Sequence, residues 1–168
     1  MTIPKKKDAA KLWEYALNAL GRRALSAGEI RQKLKDKAAD QADVEPAMAK
    51  LKEYGYLDDA NFAETYASAR RANQSFGKIR VMRDLRTRRV GSETAEKAIE
   101  KVFAGTDEMA LAEVYVARKF RNRDLKEYLA DPNHLASAYR KLRYAGFSST
   151  VTVRVLKRYS ERAEEIEE

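Results

Sequence analysis

The sequence predicts an all-α protein made of three tandem three-helix repeats, and two observations carry that prediction. The first is a spacing. Ile30 and Leu34, Val81 and Leu85, and Ala138 and Leu142 each lie four residues apart. Thirteen residues then separate Leu34 from Ala47, Leu85 from Ala98, and Leu142 from Val155, and Leu51, Val102 and Tyr159 follow four residues later. Residues four apart share one helix face, and unrelated amphipathic helices would rarely agree on the longer spacing three times. The offsets of 51 and then 57 residues suit stacked helical units. The second observation is composition. With 44% hydrophobic and 36% charged residues, three prolines and seven glycines, the chain reads as globular and helical rather than disordered. The spacing places the repeats at residues 9–57, 58–104 and 105–160, ahead of an acidic tail at 161–168.

Each element has a local reason. Residues 1–8, with Lys5, Lys6 and Lys7, read as a frayed basic terminus. Trp13, Ala16, Leu17 and Leu20 form the stripe of a first helix. Ser26 to Glu29 is a capping box for the second, and Asp43 caps a third, in which Pro46 is tolerated because it falls in the first turn. Tyr54 to Arg70 is a helix stop followed at once by a start. Gly55 suits the left-handed C-cap, Asp58 or Asp59 caps the next helix, and Phe62 and Tyr66 give it an apolar stripe. Further helices are expected from about Gly77 and from Ser92.

In the third repeat Leu111, Val114, Tyr115 and Arg118 mark one helix, and Asp131-Pro132 starts another with Leu135, Ala138, Tyr139 and Leu142 as its stripe. The last helix starts at Ser148. There Thr150 to Val155 is β-branched and alternating, which on propensity reads as a strand. The repeat spacing argues helix, and a lone strand would lack a partner.

Nothing in the chain has the pattern of catalytic machinery. Cysteine is absent, and the single histidine, His134, has no evident partner for a metal site and reads as a solvent-facing helix residue. Asp58 and Asp59 resemble paired carboxylates only superficially, because a helix cap explains them. No phosphate-cradling glycine loop is present. No catalytic residue, metal or cofactor is therefore expected. No apolar run approaches the ~18 residues that span a bilayer, and no export signal follows the start, so a cytoplasmic protein is expected.

The basic residues carry more information. The net charge is +8 at pH 7, which favours a polyanionic partner. Arg70, Arg71, Lys78, Arg80, Arg83, Arg86, Arg88 and Arg89 fall within twenty residues, opposed only by Asp84. A helical wheel turns Arg80, Arg83 and Thr87 away from Val81 and Leu85. The matched outward positions are Glu29, Gln32 and Asp36 in the first repeat, and Ser137, Arg140 and Tyr144 in the third. A second run comprises Arg118, Lys119, Arg121, Arg123 and Lys126, while the tail (Glu161, Glu164, Glu165, Glu167, Glu168) has the opposite sign and reads as mobile. Charge runs are often only solvated faces. Concentration as arginine in one repeat points to phosphate or carboxylate recognition.

Together these residues resemble a known family. Leu17, Leu20, Arg23, Ser26, Glu29-Ile30 and Lys33-Leu34, followed by Leu51, Tyr54-Gly55-Tyr56-Leu57-Asp58-Asp59 and Phe62-Ala63, are similar to the bacterial RecX proteins, regulators of the RecA recombinase. Gly77-Lys78, Arg80 and Leu85, and then Tyr144, Gly146 and Phe147, resemble that family's second and third repeats. The resemblance runs from about Leu12 to Tyr159. It implies an elongated, curved stack without enzymatic activity. It also implies a regulator in DNA repair that binds RecA and the filament RecA forms on single-stranded DNA, and that damps recombinase, ATPase and coprotease activities. On that reading the filament or its DNA is contacted by Arg70, Arg71, Lys78, Arg80, Arg83, Arg86, Arg118, Lys119, Arg121 and Arg123. Gly55, Leu57, Asp58, Asp59, Phe62 and Ala63 are structural signature residues, and the protein is a monomer. A stand-alone helix-turn-helix-like DNA-binding protein is the alternative, and a solenoid adaptor is a third reading.

Overall fold

The computed structural model describes residues 6 to 167; Lys5 and Glu168 lie outside them. Among the described residues the chain is helical throughout, with α1 (Ala9–Arg22), α2 (Ala27–Lys37), α3 (Val44–Glu53), α4 (Asp59–Gln74), α5 (Lys78–Thr87) and α6 (Ser92–Val102). There follow α7 (Glu108–Lys119), the single turn α8 (Leu125–Tyr128), α9 (Pro132–Tyr144) and α10 (Ser149–Lys157). Short 3-10 segments occupy Gln41–Asp43 and Glu161–Glu167. No helix among these is long and apolar enough to cross a membrane.

The chain forms two compact units. The first comprises Met1–Thr65 and Leu85–Ala98, the second Tyr66–Asp84 and Ile99–Glu168. Helices α4, α5 and α6 are thus each divided between them.

In the first unit Leu12, Ala16, Ile30, Leu34, Val44, Met48 and Leu51 make the core. The Asp8 carboxylate caps α1 by accepting from the Lys11 amide at 3.0 Å. At α2 both halves of the Ser26–Glu29 capping box are formed. Asp43 lies at the N-cap of α3 without a side-chain hydrogen bond, and Asp40 does the capping one turn earlier. The α3 helix ends where expected: Gly55 has φ 74°, and the Tyr56 amide reaches back to the Leu51 carbonyl at 2.9 Å. That six-to-one bond through a left-handed residue closes a Schellman turn. The terminus is not frayed as far as Lys7, whose amide donates to the Lys37 carbonyl and whose carbonyl accepts from Ala39, both at 2.8 Å.

In the second unit Val116, Leu129, Leu135, Ala138, Leu142, Phe147 and Leu156 are among the core residues. Asp107, Asp124, Asp131 and Ser148 cap α7, α8, α9 and α10 in turn. The stretch that propensity would have made a strand is helical in α10. Thr152, Val153, Val155 and Leu156 are all buried there, and that burial outweighs a β preference spanning only ~1 kcal/mol. The acidic tail departs from expectation. Its 3-10 segment buries Ala163 fully and packs Ile166 against the core, so residues 161–166 belong to the unit. Leu34, Leu85 and Leu142, the matched leucines of the three repeats, are all 0% exposed.

A candidate arginine–tyrosine binding surface

Signature residues of the Gly55–Ala63 stretch hold the first unit together. Asp58 caps α4 through the Asn61 amide at 2.9 Å. Asp59 does something else: its Oδ1 accepts from the Ala27 amide at 2.7 Å, at the start of α2. Leu57 packs on the core, Ala63 is buried, and the Phe62 ring lies 5.0 Å beneath the Arg88 guanidinium. Arg88 in turn grips Glu29, with Nε to Oε1 at 2.7 Å and Nη2 to Oε2 at 3.0 Å. Glu29 is therefore not an outward residue. Burial pushes its carboxyl up, but the Arg88 hydrogen bond, the Ser26 amide and the charges of Arg88 and Arg23 outweigh it and hold the carboxyl below its ordinary range.

Matched repeat positions reach a backbone carbonyl in both units, by a side chain in one and by the backbone in the other. In the first, the Ser26 hydroxyl donates to the Arg88 carbonyl. In the second, the Gly77 amide donates to the Ala145 carbonyl at 2.8 Å. Ser26 and Gly77 are matched repeat positions, as are Arg88 and Ala145. Contact in the second unit is close enough to exclude side chains: a Cβ on Gly77 would fall 2.4 Å from the Gly146 carbonyl oxygen, and one on Gly146 2.3 Å from the Arg80 amide. Gly146 also has φ 97°, a conformation that side chains resist.

This close approach builds the candidate site. It brings Tyr144, at the end of α9, against the first turns of α5. Asp84 anchors Arg80 at 2.9 Å and Arg70 at 3.9 Å. Arg80 and Arg83 both donate to the Tyr144 carbonyl, at 3.3 and 3.2 Å. Their guanidiniums lie 4.3 and 5.1 Å from the Tyr144 ring centre, and Arg80 also lies 4.7 Å from that of Phe76. The Tyr144 ring remains 62% exposed. An exposed aromatic edged by guanidiniums can stack a planar group or a cation-facing side chain while the arginines take an anion.

The predicted basic residues separate into two groups. Arg80 does not face away from the protein: its side chain is 18% exposed and committed to Asp84 and Tyr144. Arg71 donates to the Val102 carbonyl and to the Thr106 hydroxyl, and Arg118 donates to the Ala72 and Asn73 carbonyls at 3.2 and 2.8 Å. Each closes a helix end whose carbonyls would otherwise lack partners. Lys78, Arg83, Arg86, Lys119, Arg121 and Arg123 are exposed, with Arg123 4.3 Å over Tyr128. Arg86 belongs to the first unit and the others to the second. His134 is exposed, but its ring stacks on Tyr128 at 4.1 Å. In the sequence Tyr144 stood as an outward position and as part of the family resemblance, not as a contact residue. Its signal was an aromatic at the end of a helix face otherwise occupied by Ser137 and Arg140.

Fold and site together define a tandem helical-repeat protein with an arginine–tyrosine cluster on its surface. Residues 13–51 match the RecX first three-helix domain and residues 58–99 the RecX second three-helix domain. The chain is 30% identical to the regulatory protein RecX of Syntrophotalea carbinolica over 139 residues, covering 83% of this chain and 90% of that protein. It is 33% identical to regulatory protein RecX of Pectobacterium atrosepticum over 149 residues, 79% of this chain and 88% of the relative. The crystal structure of RecX from Lactobacillus salivarius superposes with a TM-score of 0.71 at 20% identity, covering 90% of this chain and 96% of that one, which shows a shared fold. The chain belongs to the RecX family of regulatory proteins.

Proposed function

We propose that this protein regulates the RecA recombinase, binding RecA and its filament on single-stranded DNA as a non-enzymatic, cytoplasmic monomer and damping the filament's recombinase, ATPase and coprotease activities. Family membership supports the regulatory role. The observation that carries the contact is Tyr144, 62% exposed between the guanidiniums of Arg80 and Arg83. Exposed aromatics and arginines are the commonest interface hot spots. Holding Arg80 by Asp84 in advance lowers the ordering cost of binding.

Within this reading Lys78, Arg83 and Tyr144 touch the partner. Arg70, Arg71, Arg80 and Arg118 shape the surface, while Lys119, Arg121 and Arg123, and separately Arg86, add attraction for acidic side chains or DNA phosphates. The stand-alone DNA-binding reading needs α5 to place its arginines in a groove, and Arg80 is already committed within the protein, as is Arg88 just beyond that helix. The test is inhibition of RecA's ATPase on single-stranded DNA by an Arg83→Ala, Tyr144→Ala double variant of unchanged helicity. A rise of tenfold or more in the inhibiting concentration is expected. Inhibition at wild-type concentrations overturns the assignment.

A further inference from the structure

The first unit carries a second basic feature, remote in sequence from the arginine–tyrosine cluster. A cleft of about 500 Å³ runs beside α1. Lys11, Tyr15, Asn18 and Arg22, spaced four, three and four residues apart, line it from one face of that helix. Lys33 of α2 and Lys7 close its sides. Lys7 is fixed there by its two backbone hydrogen bonds to Lys37 and Ala39, and its ammonium lies 5.7 Å from the Tyr15 ring centre.

The charges in this cleft are not balanced. Five of its lining residues are cationic and one, Glu14, is anionic. Arg23 is paired with Glu29 and Lys11 with Asp8. Arg22 and Lys33 have no carboxylate partner among the described residues. Packing does not ask for this, since the core stripe of α1 is Leu12 and Ala16. Cations gathered around a concavity repel one another and focus a positive field into it.

The order of groups along α1 indicates what the field is for. Cations stand at the two ends, about 16 Å apart at 1.5 Å per residue. Between them lie an aromatic ring and a carboxamide. A phosphorylated nucleoside uses all three: phosphates meet lysine and arginine, the base stacks on tyrosine, and its edge pairs with an amide that both donates and accepts. A purely acidic peptide would use the cations alone. We propose that this cleft binds a phosphorylated nucleoside, either as a free nucleoside triphosphate or as the nucleotides of a single strand. The proposal stands apart from the RecA reading and needs no RecA for its test.

The experiment titrates the full chain into fluorescent mant-ATP and, separately, into a fluorescein-labelled dT12 oligonucleotide, by anisotropy at several salt concentrations. An Arg22→Glu, Lys33→Glu double variant, both side chains outside the core, should weaken the bound probe at least tenfold and reduce the salt dependence. Tyr15→Leu should weaken it at least fivefold without changing the salt dependence, and Tyr15→Phe should restore it, because stacking needs the ring. Loss of mant-ATP alone assigns a free nucleotide, and loss of dT12 alone assigns a strand. The proposal is overturned if neither probe binds the wild-type chain, or if the charge-reversed variant stays within twofold of it. It also fails if polyglutamate displaces the probes as well as unlabelled nucleotide does. Should Tyr15→Leu lose helicity, the charge-reversed pair decides alone.

Discussion

Arg88 and Glu29 meet through two parallel hydrogen bonds, 59 residues apart in sequence, with the Phe62 ring beneath the guanidinium. Charged, bidentate contacts of this kind are the stronger class of hydrogen bond. Replacing Arg88 with alanine leaves a mostly buried carboxylate with only the Ser26 amide and the longer Arg23 contact, and about 2 kcal/mol of stability should be lost in urea unfolding. An Arg88→Ala, Glu29→Ala double variant should lose less than the two single variants summed. Additive losses would mean that the pair is not coupled.

The same carboxylate sets a pH dependence. Its folded pKa lies below the ordinary value, so the unfolded state takes up its proton first as pH falls. The stabilisation is complete above the ordinary glutamate range, near 4.3, and drains away as pH drops through the depressed folded value. Glu29→Gln should flatten that part of the acid limb. An unchanged limb between pH 5 and 3 would remove Glu29 from the explanation.

The three matched leucines give a direct check on the repeat register. Leu34, Leu85 and Leu142 are all fully buried, and truncation of each to alanine should cost about 2–5 kcal/mol. A loss under about 0.5 kcal/mol at any one would place that repeat out of register.

The glycines should behave in opposite ways. Gly21 lies inside α1 with nothing within 4 Å of an added Cβ, so Gly21→Ala should raise stability by up to about 1 kcal/mol. Gly146→Ala meets both a positive φ and the Arg80 backbone, and thermal melting should show a large loss.

Arg80 and Arg83 should also differ, although both were expected to face outward. Arg83→Ala should leave the melting temperature nearly unchanged and weaken RecA inhibition. Arg80→Ala removes the partner of Asp84, whose Oδ2 is already buried without a hydrogen bond, and should destabilise the second unit. Equal melting temperatures would show that Asp84 is satisfied by Arg70 alone.

How much of this was legible in the chain depended on range. The Ser26–Glu29 box and the Gly55 turn are set within a few residues and the leucines by a repeated spacing, and the structure has the box, the turn and all three leucines buried. Contacts across the fold were not legible. A helical wheel gives the direction of Arg80 but not that Gly146, 66 residues later, brings Tyr144 to meet it. Asp59 looked like a cap for its own helix, and the Ala27 amide claimed it from 32 residues away. The α8 turn is too short to produce a period, and nothing local marks Ala163 as buried, since a small residue among glutamates reads as solvated. In α10 the local preference pointed to a strand, and packing reversed it.

The division of α4, α5 and α6 has a consequence for how the chain is made. Its path enters the first unit, leaves at Thr65, returns from Leu85 to Ala98, and leaves again. No single peptide bond separates the two units: the chain passes from one to the other three times. The repetition in the sequence is out of phase with the packing: Phe62, Ala63 and Arg88 sit beyond the first repeat yet complete the first unit. On a translating ribosome that unit stays unfinished until Ala98 has emerged, about forty residues later than the sequence period would suggest. During that interval Ser26 and Glu29 wait for Arg88, which binds them both.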